Sequence, residues 1–199
     1  NENSIIGFVA RETEYQLKKL KKYGAKKMIG SRYLSYLEKS LTLHGKFIYL
    51  TVLETFQEHG KEEIIFDLHG NMVLIDSYSC VHTLFRHYSQ SIKQHQIDKS
   101  YHFDENINFK DIPSFILEIL NCYSKSKSSS LFDKENMYFQ FRGSFYALWL
   151  RKLKKSIKGG KKVEYLRIQT LYPVELKEEL QKINKLNSEN TNCNFLFWQ

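Results

Sequence analysis

Residues 137–173 read MYFQFRGSFYALWLRKLKKSIKGGKKVEYLRIQTLYP, and the order of apolar and basic runs within them sets the fold class. Two aromatic-rich runs, Met137–Arg142 and Ser144–Arg151, meet at Gly143. Such runs on either side of a glycine predict a β-hairpin. A basic loop, Lys152 to Lys162, contains Gly159-Gly160 and leads into a third strand, Val163–Tyr172, which Pro173 stops. Asn194–Trp198 predicts a closing strand, so the second half of the chain is expected to be an antiparallel sheet of about four strands.

Upstream of this stretch helical spacing dominates. Tyr15, Leu17, Leu20 and Tyr23 recur through Arg11–Tyr23, and a second helix is expected over Ser31–Leu43, ended by His44-Gly45. Lys46–Gln57 fits strand by composition and helix by apolar spacing. Ile64–Leu68 and Met72–Ile75 flank His69-Gly70-Asn71 as a first hairpin. Asp76-Ser77 then caps a helix over about residues 78–94. Residues 98–110 are polar and read as a loop or short strand. Asp111-Ile112-Pro113 opens a further helix, Ser124–Ser130 is a loop, and Glu175–Leu186 is a charged helix. Helices followed by an antiparallel meander make an α+β fold. The expected division is an N-terminal helical segment (1–60), an α+β core (61–174) and a C-terminal helix and tail (175–199).

The chain has 199 residues, 42% of them hydrophobic and 15% aromatic, enough for one substantial core. No apolar run approaches the roughly 20 residues that cross a bilayer. The chain begins at Asn1 without a secretory signal, as a domain cut from a larger protein would. Cys80, Cys122 and Cys193 are widely spaced and unpaired in pattern, which predicts reduced, small apolar side chains and no zinc site. No phosphate-binding or dinucleotide glycine motif occurs, so no cofactor is expected.

The net charge of +8 is clustered. Lys18, Lys19, Lys21, Lys22, Lys26 and Lys27 form one group. Arg151, Lys152, Lys154, Lys155, Lys158, Lys161 and Lys162 form another. Each would concentrate a polyanion, although lysine runs also serve simply as solvated faces.

The residue types suited to chemistry are concentrated in Val81-His82-Thr83-Leu84-Phe85-Arg86-His87. His82 and Arg86 share a helix face, and His87 follows about 100° further round. Two imidazoles and a guanidinium suit RNA cleavage by 2′-hydroxyl attack, which needs a base, a cation for the phosphorane and an acid for the leaving oxygen. A polar helix face is the plainer alternative. On the last core strand, alternation puts Tyr165, Arg167, Gln169 and Leu171 on one side. Leu166, Ile168, Thr170 and Tyr172 take the other. His44, His59 and His69 each neighbour a turn glycine and are expected to face solvent. His95 and His102 have no metal-ligand spacing. Asp67 and Asp76 flank the first hairpin as the carboxylates of a metal-dependent nuclease could, but no Glu-x-Lys follows at a suitable place.

The order of these features resembles the barnase–EndoU–colicin–RelE-like nucleases, especially domains of phage-associated and polymorphic toxin proteins. The resemblance covers roughly residues 62–174. It implies a metal-independent endoribonuclease in which His82, Arg86 and His87 match the helix motif and Thr170 and Tyr172 the strand motif. It makes Arg142 and Arg167 auxiliary phosphate ligands; the charge clustering, apart from the resemblance, makes Arg151, Lys152, Lys154, Lys155, Lys161 and Lys162 the residues expected to hold the RNA backbone. The resemblance further implies tRNA or another structured RNA as substrate, an immunity or antitoxin protein as partner, and a cytoplasmic site of action. Two other readings use the same residues: a nucleic-acid-binding module without turnover, and an interaction domain for an acidic protein.

Overall fold

The computed structural model of the chain describes residues 4–60, 63–88, 104, 106–126, 136–156, 160, 162–190 and 193–198. Helix α1 is Ile5–Lys26, longer at both ends than its apolar spacing suggests, because Ser4 caps it by accepting from the Gly7 amide. Helix α2 is Ser31–Glu58 and continues through His44-Gly45, where a stop is expected. Gly45 is a contact residue here. A Cβ at this position would lie 2.6 Å from Thr13 Oγ1, so the missing side chain lets α1 approach α2 closely. The ambiguous stretch 46–57 is therefore helical, with Ile48, Val52 and Phe56 buried along one side.

Strands β1 (Glu63–Leu68) and β2 (Asn71–Asp76) form the expected first hairpin. Its turn residues His69 and Gly70 both have positive φ, 54° and 84°, as the tight primed hairpin turn requires. Asp67 accepts from the Gly70 amide at 2.8 Å and so belongs to this turn. Asp76 closes β2 and caps α3 (Ser77–His87), its Oδ1 accepting from the Ser79 amide at 2.9 Å. The continuation of this helix expected to residue 94 lies outside the described residues beyond Tyr88. So does most of the expected 98–110 loop, which ends in a single 3-10 turn, Phe109–Asp111. Helix α4 (Ile112–Ser124) then starts with Pro113 in its first turn. Residues 127–130 of the expected serine-rich loop are also outside the described set.

β3 (Asn136–Phe141) and β4 (Ser144–Ser156) are the second hairpin, joined by Arg142 and Gly143 at positive φ. β5 is Lys162–Pro173, α5 is Lys177–Ile183, and two short strands follow, β6 (Ser188–Asn190) and β7 (Leu196–Trp198). β4 runs five residues past Arg151, so Lys152, Lys154 and Lys155 stand on a strand and not in a loop. Backbone pairing with β5 accounts for this, since Lys152↔Leu166 through Ser156↔Lys162 extend the ladder.

The fold is α+β, but the expected sheet of about four antiparallel strands is corrected. The described strands form one mixed seven-stranded sheet in the order β1-β2-β5-β4-β3-β7-β6. The first hairpin joins the late meander because β2 pairs in parallel with β5, Val73 opposite Leu166 and Leu74 opposite Arg167. All other pairings among the described strands are antiparallel. A main core unites Ile5 and Leu20 of α1, Leu41 and Ile48 of α2, Leu84 and Phe85 of α3, α4, and the inner side of the sheet. A smaller cluster, Ala147, Val174 and Ile183, lies beneath α5 on the other side.

The expectation of unpaired cysteines is also corrected. Cys122 at the end of α4 and Cys193 before β7 form a disulfide across 71 residues, with Cα atoms 6.0 Å apart. Tertiary proximity of chain segments brings them together, which linear spacing does not convey. Cys80 is free and buried, and burial pushes its thiol pKa up. Among the described residues no helix is long and apolar enough to cross a membrane.

The α1–α2 contact makes a direct prediction. Gly45→Leu is expected to cost about 1–3 kcal/mol by overpacking. Gly30→Ala, where a Cβ meets nothing within 4 Å but the residue is the N-cap of α2, is expected to cost no more than about 1 kcal/mol. Denaturant midpoints of the two variants measure the difference.

Candidate functional site

The geometry of the site depends on one irregularity. Between Trp149 and Leu150 the β4–β5 register shifts: Trp149 faces Thr170 while Leu150 faces Ile168, leaving Gln169 as the extra residue of a bulge. Simple alternation puts Arg167 and Tyr172 on opposite faces. The bulge restores them to one face, along with Tyr165 and Thr170, and leaves Ile168 and Leu171 both in the core. Gln169 itself is buried, and its Nε2 has no hydrogen-bond partner among the described residues.

Helix α3 lies along β5, tied to it by the Ser79 hydroxyl donating to the Ile168 carbonyl. Its outward side chains form an aromatic row. Tyr78 stacks on His82 with centroids 5.3 Å apart, His82 and His87 are 6.1 Å apart, and His87 stacks on Tyr172 at 6.2 Å. The Arg167 guanidinium sits over Tyr78 at 4.1 Å and faces Asp76 at 3.7 Å. The structure thus brings His82, His87, Tyr172 and Arg167 together, with the two imidazoles partly exposed. Tyr78 completes the row and is not singled out by the sequence pattern. Its position four residues before His82 is the signal that could have found it.

The Tyr172 hydroxyl donates to Glu179 Oε1 at 2.9 Å, and Tyr138 donates to the same oxygen at 3.1 Å. Burial, then the Glu179 carboxylate, pushes the Tyr172 phenol above its ordinary pKa, so it stays protonated. Thr170 is 3% exposed, and its hydroxyl is turned to the Leu171 carbonyl. Arg86 points towards α1. Its guanidinium forms a two-pronged pair with Glu12 and stacks over Tyr15 at 4.1 Å. Gln16 donates to Glu12 at 2.9 Å and completes that junction.

The basic residues divide similarly. Arg151 lies directly opposite Arg167 on the same face as the row, and the Asp76 carboxylate beside Arg167 offsets the like charge. Lys152 and Lys154 pair with Glu164 at 2.9 and 3.0 Å. Lys154, Lys155, Tyr165 and Arg167 line a cleft of about 540 Å³ whose apolar wall includes Ile65 and Leu74. Lys162 ends the ladder, and Lys161 lies outside the described residues. Arg142 is at the β3–β4 turn, donating to the Asn106 carbonyl at 3.4 Å. From there to Lys152 is ten residues of extended chain, about 33 Å at strand rise, so Arg142 belongs to another region. Beside it, Tyr146 donates to Asp104 at 3.0 Å and accepts from Asn106 at 3.1 Å. Among the described residues no group of three metal-ligating side chains occurs.

His44 departs from its expected exposure because α2 does not stop there. Its ring packs on Phe109 at 5.2 Å and Phe85 at 5.8 Å, and burial lowers its pKa to about 4. His59 and His69 are exposed as expected, while His95 and His102 lie outside the described residues.

The placements of Arg86 and His44 are each open to measurement. Arg86→Ala, by leaving the Glu12 carboxylate with Gln16 but without its cation, is expected to cost roughly 1.5–3 kcal/mol. Arg86→Lys should recover only part of that, and a cycle with Glu12→Gln should be non-additive in urea unfolding. For His44, the unfolded chain takes up a proton near pH 6.5 that the folded chain refuses until about pH 4. Stability is therefore full above pH 6.5 and falls on acidification towards pH 4, by up to roughly 3 kcal/mol. His44→Leu should flatten that slope in a series of urea midpoints.

No protein-family model matches this chain, and neither a curated protein nor a solved structure matches it.

Proposed function

We propose that the protein is a metal-independent endoribonuclease whose centre is the His82–His87 pair. The observation that carries this reading is the aromatic row, which sets two imidazoles 6.1 Å apart beside Tyr172 and on the sheet face that carries Arg151 and Arg167. That spacing lets the two rings reach different oxygens of one phosphodiester.

In the proposed reaction one imidazole takes the 2′-hydroxyl proton, and the 2′-oxygen attacks the adjacent phosphorus. The bond from phosphorus to the 5′-oxygen breaks, and the other ring, as imidazolium, donates a proton to that oxygen. A 2′,3′-cyclic phosphate and a 5′-hydroxyl result. Arg167 and Arg151 supply cations for the phosphate backbone, and Lys154 and Lys155 extend the track along the cleft. Tyr172 stacks on His87 and holds its ring in place through Glu179. In this reading Arg86 and Thr170 act as positioning residues, through α1 and β5. The resemblance to the barnase–EndoU–colicin–RelE-like nucleases supports the same chemistry. A toxin role, a tRNA substrate and an immunity partner are extensions of that resemblance.

The basic side chains gathered at the β4–β5 ladder, Arg151, Lys155 and Arg167, favour a second reading, RNA binding without turnover. Incubating structured RNA with the protein in EDTA separates the two. Cleavage with cyclic phosphate ends and a bell-shaped pH profile is expected, and His82→Ala and His87→Ala should each lower kcat/KM by about 10²–10⁴-fold. Undiminished cleavage by both variants would sink the assignment. Salt-dependent binding with no cleavage, its slope reduced by neutralising Arg151, Lys155 and Arg167, would establish the binding module instead.

A further inference from the structure

Helix α2 has a second apolar stripe on the side away from the core. Tyr36, Leu43, Phe47 and Leu50 are 64%, 63%, 49% and 59% exposed. At 100° per residue they fall within one narrow sector of a helix about 42 Å long, roughly opposite the Leu41–Ile48–Val52 side. Helices α1, α3 and α4 cover the buried side of α2; of the stripe, Phe47 also rests on Phe109 with ring centroids 5.7 Å apart, yet half its surface stays exposed. A folded chain seldom carries so continuous an apolar line without a use for it.

The charges along the stripe show what it fits. Arg32 and Lys39 stand on the N-terminal side of Leu43, and Glu54 and Glu58 on its C-terminal side beyond Lys46; all five are exposed. The stripe is close to self-complementary about Leu43. An antiparallel copy related by a two-fold axis at that residue sets Leu43 on its own counterpart and Tyr36 against Leu50 of the second copy. It also sets Lys39 against Phe47, a cation over a ring, and Arg32 against Glu54. A parallel pairing would instead oppose Arg32, Lys39 and Lys46 to themselves. Two-fold symmetry is the commonest closed arrangement, and it needs only one such patch.

We infer that the outer face of α2 is a homodimer interface, an antiparallel helix pair centred on Leu43. It is independent of the RNase reading, since it uses none of the residues of the aromatic row.

Sedimentation equilibrium and light scattering across low to high micromolar concentration test it. The expected mass is twice 23.7 kDa. Leu43→Glu, which sets two carboxylates face to face, should raise the dimer dissociation constant about tenfold or more. Arg32→Glu and Glu54→Arg should each weaken the dimer, and the double variant should restore it. Far-UV circular dichroism checks that these exposed substitutions leave the fold intact. A parent that stays at monomer mass throughout, a dimer indifferent to Leu43→Glu, or a charge swap without rescue each overturns the inference.

Discussion

The extra residue at Gln169 governs which side chains β5 presents to α3. Without it, the strand would carry Arg167 and Tyr172 on opposite faces, and the row running from Tyr78 to Tyr172 would lose one end. With it, both project to the same side, while Ile168 and Leu171 still reach the core. Bulges re-aim side chains at a small cost in ladder pairing. The bulge residue itself, Gln169, is buried, and its side-chain Nε2 has no partner among the described residues. The parallel contact between β2 and β5 supplies the other half of the arrangement. It sets the Asp76 cap, and hence the start of α3, beside Arg167.

Charge divides by tertiary neighbours more than by position in the chain. Arg86 shares its helix with the two histidines, yet it is committed to Glu12 and Tyr15 and joins α3 to α1. Lys152 and Lys154 share Glu164, whereas Arg167, opposite Arg151 on the ladder, takes its acid from another strand, Asp76 at the end of β2.

The helical half of the molecule does two separate things. One side of α2 closes on α1 through Gly45 and on α3 through Phe85, holding the helix that bears the histidines. Its other side remains apolar with graded charge. A single 28-residue helix can thus serve the core and an interface at once.

Local patterns by themselves determined the α+β class, both hairpins, the Asp76 cap and the choice of His82 and His87, because each depends on residues close in sequence. Tertiary structure alone decided the rest. Gly45 reads as a helix stop until α1 is laid against it, and Cys122 and Cys193 read as unrelated until α4 and β7 meet. The parallel β2–β5 pairing joins strands about 90 residues apart in the chain, beyond the reach of any periodicity. Strand alternation fails at Gln169 because a bulge is set by the competing registers of two strands and not by one strand's composition. That competition is why the candidate site could be named in part from the sequence but assembled only in the fold.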